Sequence, residues 1–391
     1  MKFTFSNLPG LAWHEPVGRI VELARLCEEV GFDRFGVSDW RFMSDCLVTM
    51  TACAQATQRL GIQAQVTDPY VRHPSLTACA IATMDDLAPG RIILGLGGGH
   101  EQPDFCGVER KHPLAAVREA VAICRGMWRG EEVSFDGKVI RVHGARLNFR
   151  SRPDIPILIA ARGHGMLRLA GEIADVAHMA SWFINVTDFQ SNLASIRAGF
   201  QRAGRSLVEL EVDVSIPVCI SRDRERARRP AKRLAAQAIL WMAGADVYSR
   251  ERPDWRPPVE FTVPAEVIET LRTRWNMWAQ PQLPDELAAL ITDEVLDQFT
   301  VAGEPEECAE RLARICAERP EATGIRIQAH PPLGTSSFEG YAETVEGMAQ
   351  AIQACKNPPL PLGEVAHGAG EGHGSVARQP SPLLSPRGGG R

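Results

Sequence analysis

This chain has no surplus of basic residues. Of its 391 residues, 43 are Lys or Arg and 48 are Asp or Glu, a formal charge of −5. A nucleic-acid-binding surface needs a basic excess or stripe, so no nucleic-acid partner is expected. No apolar run approaches the roughly 18 residues that suggest a membrane-crossing helix, so no membrane association is expected either. The N-terminus, MKFTFSNLPG, has one lysine and no apolar segment behind it, unlike a secretory leader. None of the ten cysteines forms a C-x-x-C pair, and none clusters with histidine at zinc spacing. H-E-x-x-H and G-x-S-x-G are both missing, so neither a zinc-peptidase site nor a nucleophile elbow is expected, and no metal. The cysteines sit among Leu, Ala and Val in helical patterns. They read as small buried apolar residues of a reducing compartment, which points to the cytoplasm.

What is present is globular: 45% hydrophobic and 23% charged residues. Two periods alternate along the chain. Strand patterns occupy 2–6, 33–38, 61–66, 91–97, 155–161, 174–180, 212–220 and 323–329. Helical patterns with apolar residues three and four apart occupy 17–31, 46–61, 75–90, 114–130, 166–174, 186–204, 223–242 and 338–355. Eight βα units predict a closed (β/α)8 TIM barrel rather than an open doubly wound sheet. A hairpin turning at Asp136-Gly137 is expected within 133–147. Residues 245–297 break the rhythm and read as an insertion between strands 7 and 8, with two or three helices. It holds Trp255, Trp275 and Trp278, which can cover the barrel mouth, meet a sister subunit, or simply pack. Residues 1–355 then form one barrel domain, and 356–391 a Gly- and Pro-rich disordered tail.

In a barrel, function sits in the loops at the C-terminal strand ends. That filter selects Asp39 and Trp40 after strand 2, where a carboxylate adjoins a ring able to stack on a planar group. It selects His73 after strand 3, although a lone histidine is usually structural. After strand 4 stand Gly97, Gly98, Gly99, His100 and Glu101; the glycines can leave room for a flat cofactor, but this is no dinucleotide fingerprint. After strand 5, Ala161, Arg162, Gly163 and His164 lead into a helix, where backbone N–H groups can hold a phosphate. A plain β-to-α turn explains the same residues.

The segments ELARLCEEVGFDRFGVSD, VTDPYVRHPSLTACAIATMDDLAPGRIILGLGGG, IPILIAARGHGMLRLAGEIADVAHM and FTVAGEPEECAERL carry a resemblance. Their order and spacing resemble the bacterial luciferase-like superfamily, and within it the coenzyme F420-dependent branch that includes methylenetetrahydromethanopterin reductase. The resemblance implies an oxidoreductase with a deazaflavin ring at the barrel mouth, passing a hydride between its C5 and a small organic substrate. It implies a non-proline cis peptide around Gln65-Val66-Thr67, with Val66 and Thr67 behind the ring. It implies that the block of Gly97, Gly98 and Gly99 lines the cofactor side chain and that the Ala161–His164 turn binds its phosphate. Asp39 stands where relatives place a ring-contacting acid or histidine. Related alcohol and sugar-phosphate dehydrogenases have histidine there, so aspartate leans toward a reductase, with His100 and Glu101 as alternative acid–base groups. FMN is the alternative cofactor; the enzyme would then be a luciferase-like monooxygenase, with His73, His100 and the insertion shielding the oxygen chemistry. A barrel serving only as a partner subunit is the non-enzymatic alternative. The family also implies a homodimer, to which the early Ala- and Leu-rich helices can contribute.

Overall fold

The computed structural model describes residues 1–6, 15–40, 42–99, 102–180, 184, 186–205, 210–243, 262–276, 282–335 and 337–356. Eleven strands are found there: β1 (Lys2–Ser6), β2 (Arg34–Val37), β3 (Gly61–Ala64), β4 (Ile92–Leu96), β5 (Val133–Asp136), β6 (Arg141–Ala145), β7 (Ile157–Ala161), β8 (Val176–Met179), β9 (Glu211–Ile220), β10 (Val301–Gly303) and β11 (Gly324–Ala329). The helices are α1 (Val17–Val30), α2 (Cys46–Ala56), α3 (Pro74–Leu87), α4 (Gln102–Phe105), α5 (Pro113–Trp128), α6 (His164–Ile173) and α7 (Val186–Ala203). They continue with α8 (Arg224–Met242), α9 (Ala265–Arg274), α10 (Asp285–Ala288), α11 (Asp293–Leu296), α12 (Pro305–Ala317) and α13 (Ser337–Lys356).

All eight predicted strands are present, and all are parallel. They run β9-β11-β1-β2-β3-β4-β7-β8, and β8 pairs back onto β9, which closes the barrel. The alternation of each strand explains the closure. Phe3 and Phe5 of β1 and Ile325 and Ile327 of β11 point outward into the main core, against the helices. The alternate residues, such as Ser6 and Arg326, point inward and bond across the lumen. A strand between two packed layers must bury both faces, which explains the near-continuous burial of β2, β4 and β8.

The helices start and stop where local chemistry says they should. Ile20, Leu23, Ala24 and Cys27 form the buried stripe of α1, and Gly31 ends it at φ 103°, donating to the Cys27 carbonyl. Asp45 caps α2 through the N–H groups of Leu47 and Val48. The helix predicted over 46–61 stops five residues early, at Ala56. Glu28 of α1 accepts the N–H groups of Gln58, Arg59 and Leu60, which turns the chain toward β3. The hairpin is β5–β6, and its turn runs from Gly137 to Ile140, one bond closing it at 2.9 Å. Buried Glu119 of α5 accepts from Lys138, Val139 and Ile140 at 2.7, 3.0 and 2.8 Å, clamping that turn onto the barrel.

Between β9 and β11, the described part of the insertion holds α9, α10 and α11. They pack on α8 as a second core with Ala231, Ala235, Ile239, Leu271, Leu287 and Phe299. Trp275 is 4% exposed within it and donates to the Gln282 carbonyl, so this tryptophan is a packing residue. Arg228, 1% exposed, locks the unit: it bonds Asp293, Asp297 and the Ala302 carbonyl at 3.0, 2.9 and 2.9 Å. The short strand β10, pairing with the upper part of β9, was not expected; three residues carry no readable period. Trp255, Trp278 and the tail from 357 lie outside the described residues.

Candidate active site

The inward residues of the barrel divide into two walls. One is apolar: Ile93, Leu158 and Val176 form a small internal core, with Val66 and Ala160 packed on it. The other is polar. His178 of β8 is fully buried, and its Nδ1–H donates to Asp213 Oδ2 at 3.2 Å. Its Nε2 accepts from the Ser215 hydroxyl at 2.9 Å. Arg326 of β11 donates to Ser215 Oγ at 3.0 Å and to Ser6 Oγ at 2.8 Å.

The electrostatics follow from burial. Burial lowers the His178 pKa, against the pull of Asp213 and with the help of Arg326, so the ring is neutral. Burial also lowers the Arg326 guanidinium to about 10. His330, at the end of β11, is lowered to about 3 by burial and by the nearby Arg233 and Arg326. Four buried polar atoms around this lumen lack a hydrogen-bond partner: Gln63 Oε1, Asp213 Oδ1, Arg326 Nε and His330 Nε2. An interior with one apolar wall and unmet polar atoms on the other suits a flat, amphipathic ligand better than a sealed core.

Asp39 and Thr67 meet at the mouth, beyond β2 and β3, where the Thr67 hydroxyl donates to the Asp39 carboxylate. Burial raises the Asp39 pKa, partly offset by that bond. Thr67 is tied to β4 by Thr67 N–H to Gly95 O at 3.0 Å and Gly97 N–H to Thr67 O at 2.9 Å. The peptide between Gln65 and Val66 is cis, within the segment where the resemblance placed such a bond. Val66 thus lies both on the apolar wall and beside Gly97.

The glycines that follow β4 have close packing neighbours. A Cβ at Gly97 would come within 2.8 Å of Val66 Cγ2, and one at Gly98 within 3.3 Å of Met166 and Pro113. Gly99, at φ 77°, would press on Arg110 and Tyr70. Their room is taken by the chain itself, so packing at the mouth already requires them. His100 and Glu101 lie outside the described residues.

The turn after β7 is open. Gly163 is the N-cap of α6 without a side-chain cap, and a Cβ there would meet nothing within 4 Å. Arg162, Gly163 and His164 are exposed, while Ala161 is buried at the strand end. The Arg162 guanidinium lies 5.3 Å from the Trp241 ring centroid, and His164 Nδ1 meets Ser195 Oγ at 2.8 Å. An uncapped helix N-terminus has free N–H groups that can take an anion. Trp40 is half-buried beside Asp39.

His73 is a correction. Its Nδ1 accepts the Ser75 N–H at the start of α3, and its Nε2 meets the Arg141 carbonyl at 2.9 Å on β6. Both ring nitrogens are used in holding a helix start to the hairpin, so His73 is a structural residue. Residues Ser6, His178, Asp213, Ser215 and Arg326 were missed as a set. Their signal was a polar residue at every second place in otherwise apolar strands, as in DVS over 213–215 and RIQ over 326–328.

The eight parallel strands close into a (β/α)8 barrel, a fold in which ligand sites sit at the C-terminal strand ends. The chain belongs to the luciferase-like monooxygenase family, whose profile matches residues 2–320. It is 31% identical over 302 residues to a 5,10-methylenetetrahydromethanopterin reductase of Methanolobus tindarius, covering 76% of this chain and 86% of that one. It is 34% identical over 233 residues to an F420-dependent glucose-6-phosphate dehydrogenase of Nakamurella multipartita, covering 56% and 69%. The coenzyme F420-dependent tetrahydromethanopterin reductase of Methanopyrus kandleri has the same fold: TM-score 0.70 at 22% identity, over 90% of this chain and 97% of that one. Among the described residues no group of three His, Cys, Asp or Glu can hold a metal, and no helix is long and apolar enough to cross a membrane.

Proposed function

We propose that this protein is a deazaflavin-dependent oxidoreductase that uses coenzyme F420 to pass a hydride to or from a small organic substrate. The observations that carry the reading lie at the C-terminal strand ends: Val66 and Thr67 follow β3, Thr67 meets Asp39, and an open helix N-terminus follows β7. The similarity to F420-dependent relatives supports deazaflavin as the ring that sits there. When bound, the cofactor supplies hydride chemistry at its C5.

The chain's own residues then have separable tasks. Val66 and the apolar wall back one face of the ring and exclude water from it. The cluster of Thr67, Gly97, Gly98 and Gly99 shapes the adjoining rim. Ala161, Arg162, Gly163 and His164 hold the cofactor phosphate on the N–H groups of α6. Trp40 stacks at the edge of the ring. Asp39, kept by burial above the usual carboxylate range, holds or moves a proton at the substrate, and Thr67 orients it. His100 and Glu101 remain candidates for the same task.

FMN is the second reading, supported by the family's own description as monooxygenases. Titration of the purified chain with F420 and separately with FMN, followed by absorbance and tryptophan quenching, tests the choice. Micromolar F420 binding with weaker FMN binding is expected; the opposite order overturns the deazaflavin reading. We further infer a cytoplasmic homodimer. Val48 of α2 and Leu76 of α3, 66% and 61% exposed, are apolar residues such an interface would cover. Light scattering of the purified chain that returns a monomer mass would overturn that part.

A further inference from the structure

The cysteines read as inert core residues include one pair that is not inert by position. Cys316 lies near the end of α12 and Cys355 near the end of α13. Their sulfurs are 3.2 Å apart with no bond between them. Both are half-buried, so a small reagent can reach the pair. A covalent bridge needs the sulfurs to close by only about 1 Å. The contact is also polarised. The Cys316 S–H donates to Cys355 Sγ, which lowers the Cys355 thiol pKa and raises that of Cys316. The residue after Cys355, Lys356, already anchors the end of α13 to Asp33 and the Gly31 carbonyl, at 2.9 and 3.1 Å.

We propose that Cys316 and Cys355 are a redox-modification site, closing to a reversible disulfide that ties α13 to α12 when a small-molecule disulfide such as oxidised glutathione accumulates. The Cys355 thiolate attacks one glutathione sulfur, forming a mixed disulfide and expelling one glutathione thiolate. The Cys316 sulfur, giving up its proton, attacks Cys355 Sγ and expels the second glutathione. Two protein thiols are oxidised, one glutathione disulfide is reduced to two thiols, and the two protons end on the leaving groups. The site is independent of the barrel mouth and of the cofactor assignment.

The test uses the full chain incubated with oxidised glutathione, or with a phosphine reductant, and then analysed by non-reducing peptide mapping. A linked peptide pair containing Cys316 and Cys355 is expected, reversed by reductant. Its loss in Cys316→Ser and in Cys355→Ser, but not in Cys106→Ser, is expected as well. The oxidised wild type should melt roughly 5 °C higher than the reduced one, a comparison that needs no variant. Glutathione adducts confined to exposed Cys106, with both helix thiols still alkylated, would overturn the proposal. So would a bridge between two chains.

Discussion

His178 and Asp213 are register partners in β8 and β9, and the histidine Nδ1 stands 3.2 Å from the aspartate Oδ2. Ser215, two residues along β9, meets the other ring nitrogen. The imidazole is thus held as one tautomer, with its Nδ1–H spent on the carboxylate. Removing Asp213 leaves the ring N–H and the Arg326 charge without their balancing anion. Asp213→Ala should cost about 3 kcal/mol of stability, and Asp213→Asn clearly less. Urea denaturation at pH 7.5 measures both.

The same cluster sets a pH dependence. The folded-state pKa values of His178 and His330 lie below those of the unfolded chain, and His330 falls to about 3. As pH falls through about 6.5, the unfolded chain takes up these protons first. Their contribution is therefore complete above that pH and declines below it. Urea midpoints should drop between pH 7.5 and 5, and His330→Asn should flatten the slope. The imidazole NMR signal of His330 should stay unshifted from pH 8 to 5, and that of His178 should titrate below the ordinary histidine range.

Two glycines at the mouth should respond in opposite ways. A Cβ at Gly95 would lie 1.9 Å from the Ala64 carbonyl oxygen, a backbone atom that cannot turn aside. Gly95→Ala should cost about 3 kcal/mol or prevent folding. Gly163 faces open space in an extended conformation, φ −93°. Gly163→Val should leave the melting temperature within a degree or two, yet weaken F420 binding about tenfold by filling the anion site, as equilibrium titration would report. Unchanged affinity would remove that turn from the cofactor site.

Asp39 is the acid–base candidate that the structure places at the mouth with a defined partner, Thr67. Asp39→Asn should lower kcat about 100-fold and leave the F420 dissociation constant nearly unchanged. Because the wild-type carboxyl titrates above its ordinary value, the acidic limb of kcat/KM should shift upward relative to an exposed aspartate and vanish in the variant. A variant of normal activity would transfer the role to His100 or Glu101.

Glu119 tests how the hairpin is attached. Three backbone N–H groups converge on its carboxylate inside the protein. Glu119→Ala orphans all three and should cost about 2–3 kcal/mol. Limited proteolysis should then cut first between 133 and 147.

Much of this molecule is legible from residue order alone. The period of apolar residues in VGRIVELARLCEEV and the apolar run of IILGL depend only on neighbours along the chain, and those elements form where expected. Asp39, Thr67 and Gly163 could be singled out because the strand ends are local features, and a barrel gathers strand ends at one mouth. What residue order does not reveal is which polar residues inside strands meet. His178 and Arg326 are 148 positions apart and become neighbours only when the barrel closes. His73 shows the reverse: its loop position suggested chemistry, but the packing of the hairpin against α3 spends both ring nitrogens. Cys316 and Cys355, 39 apart on different helices, are brought to 3.2 Å by the packing of α12 on α13. Local periodicity determined the elements and their order; contact between distant segments decided which side chains face each other, because it depends on closure and packing rather than on sequence spacing.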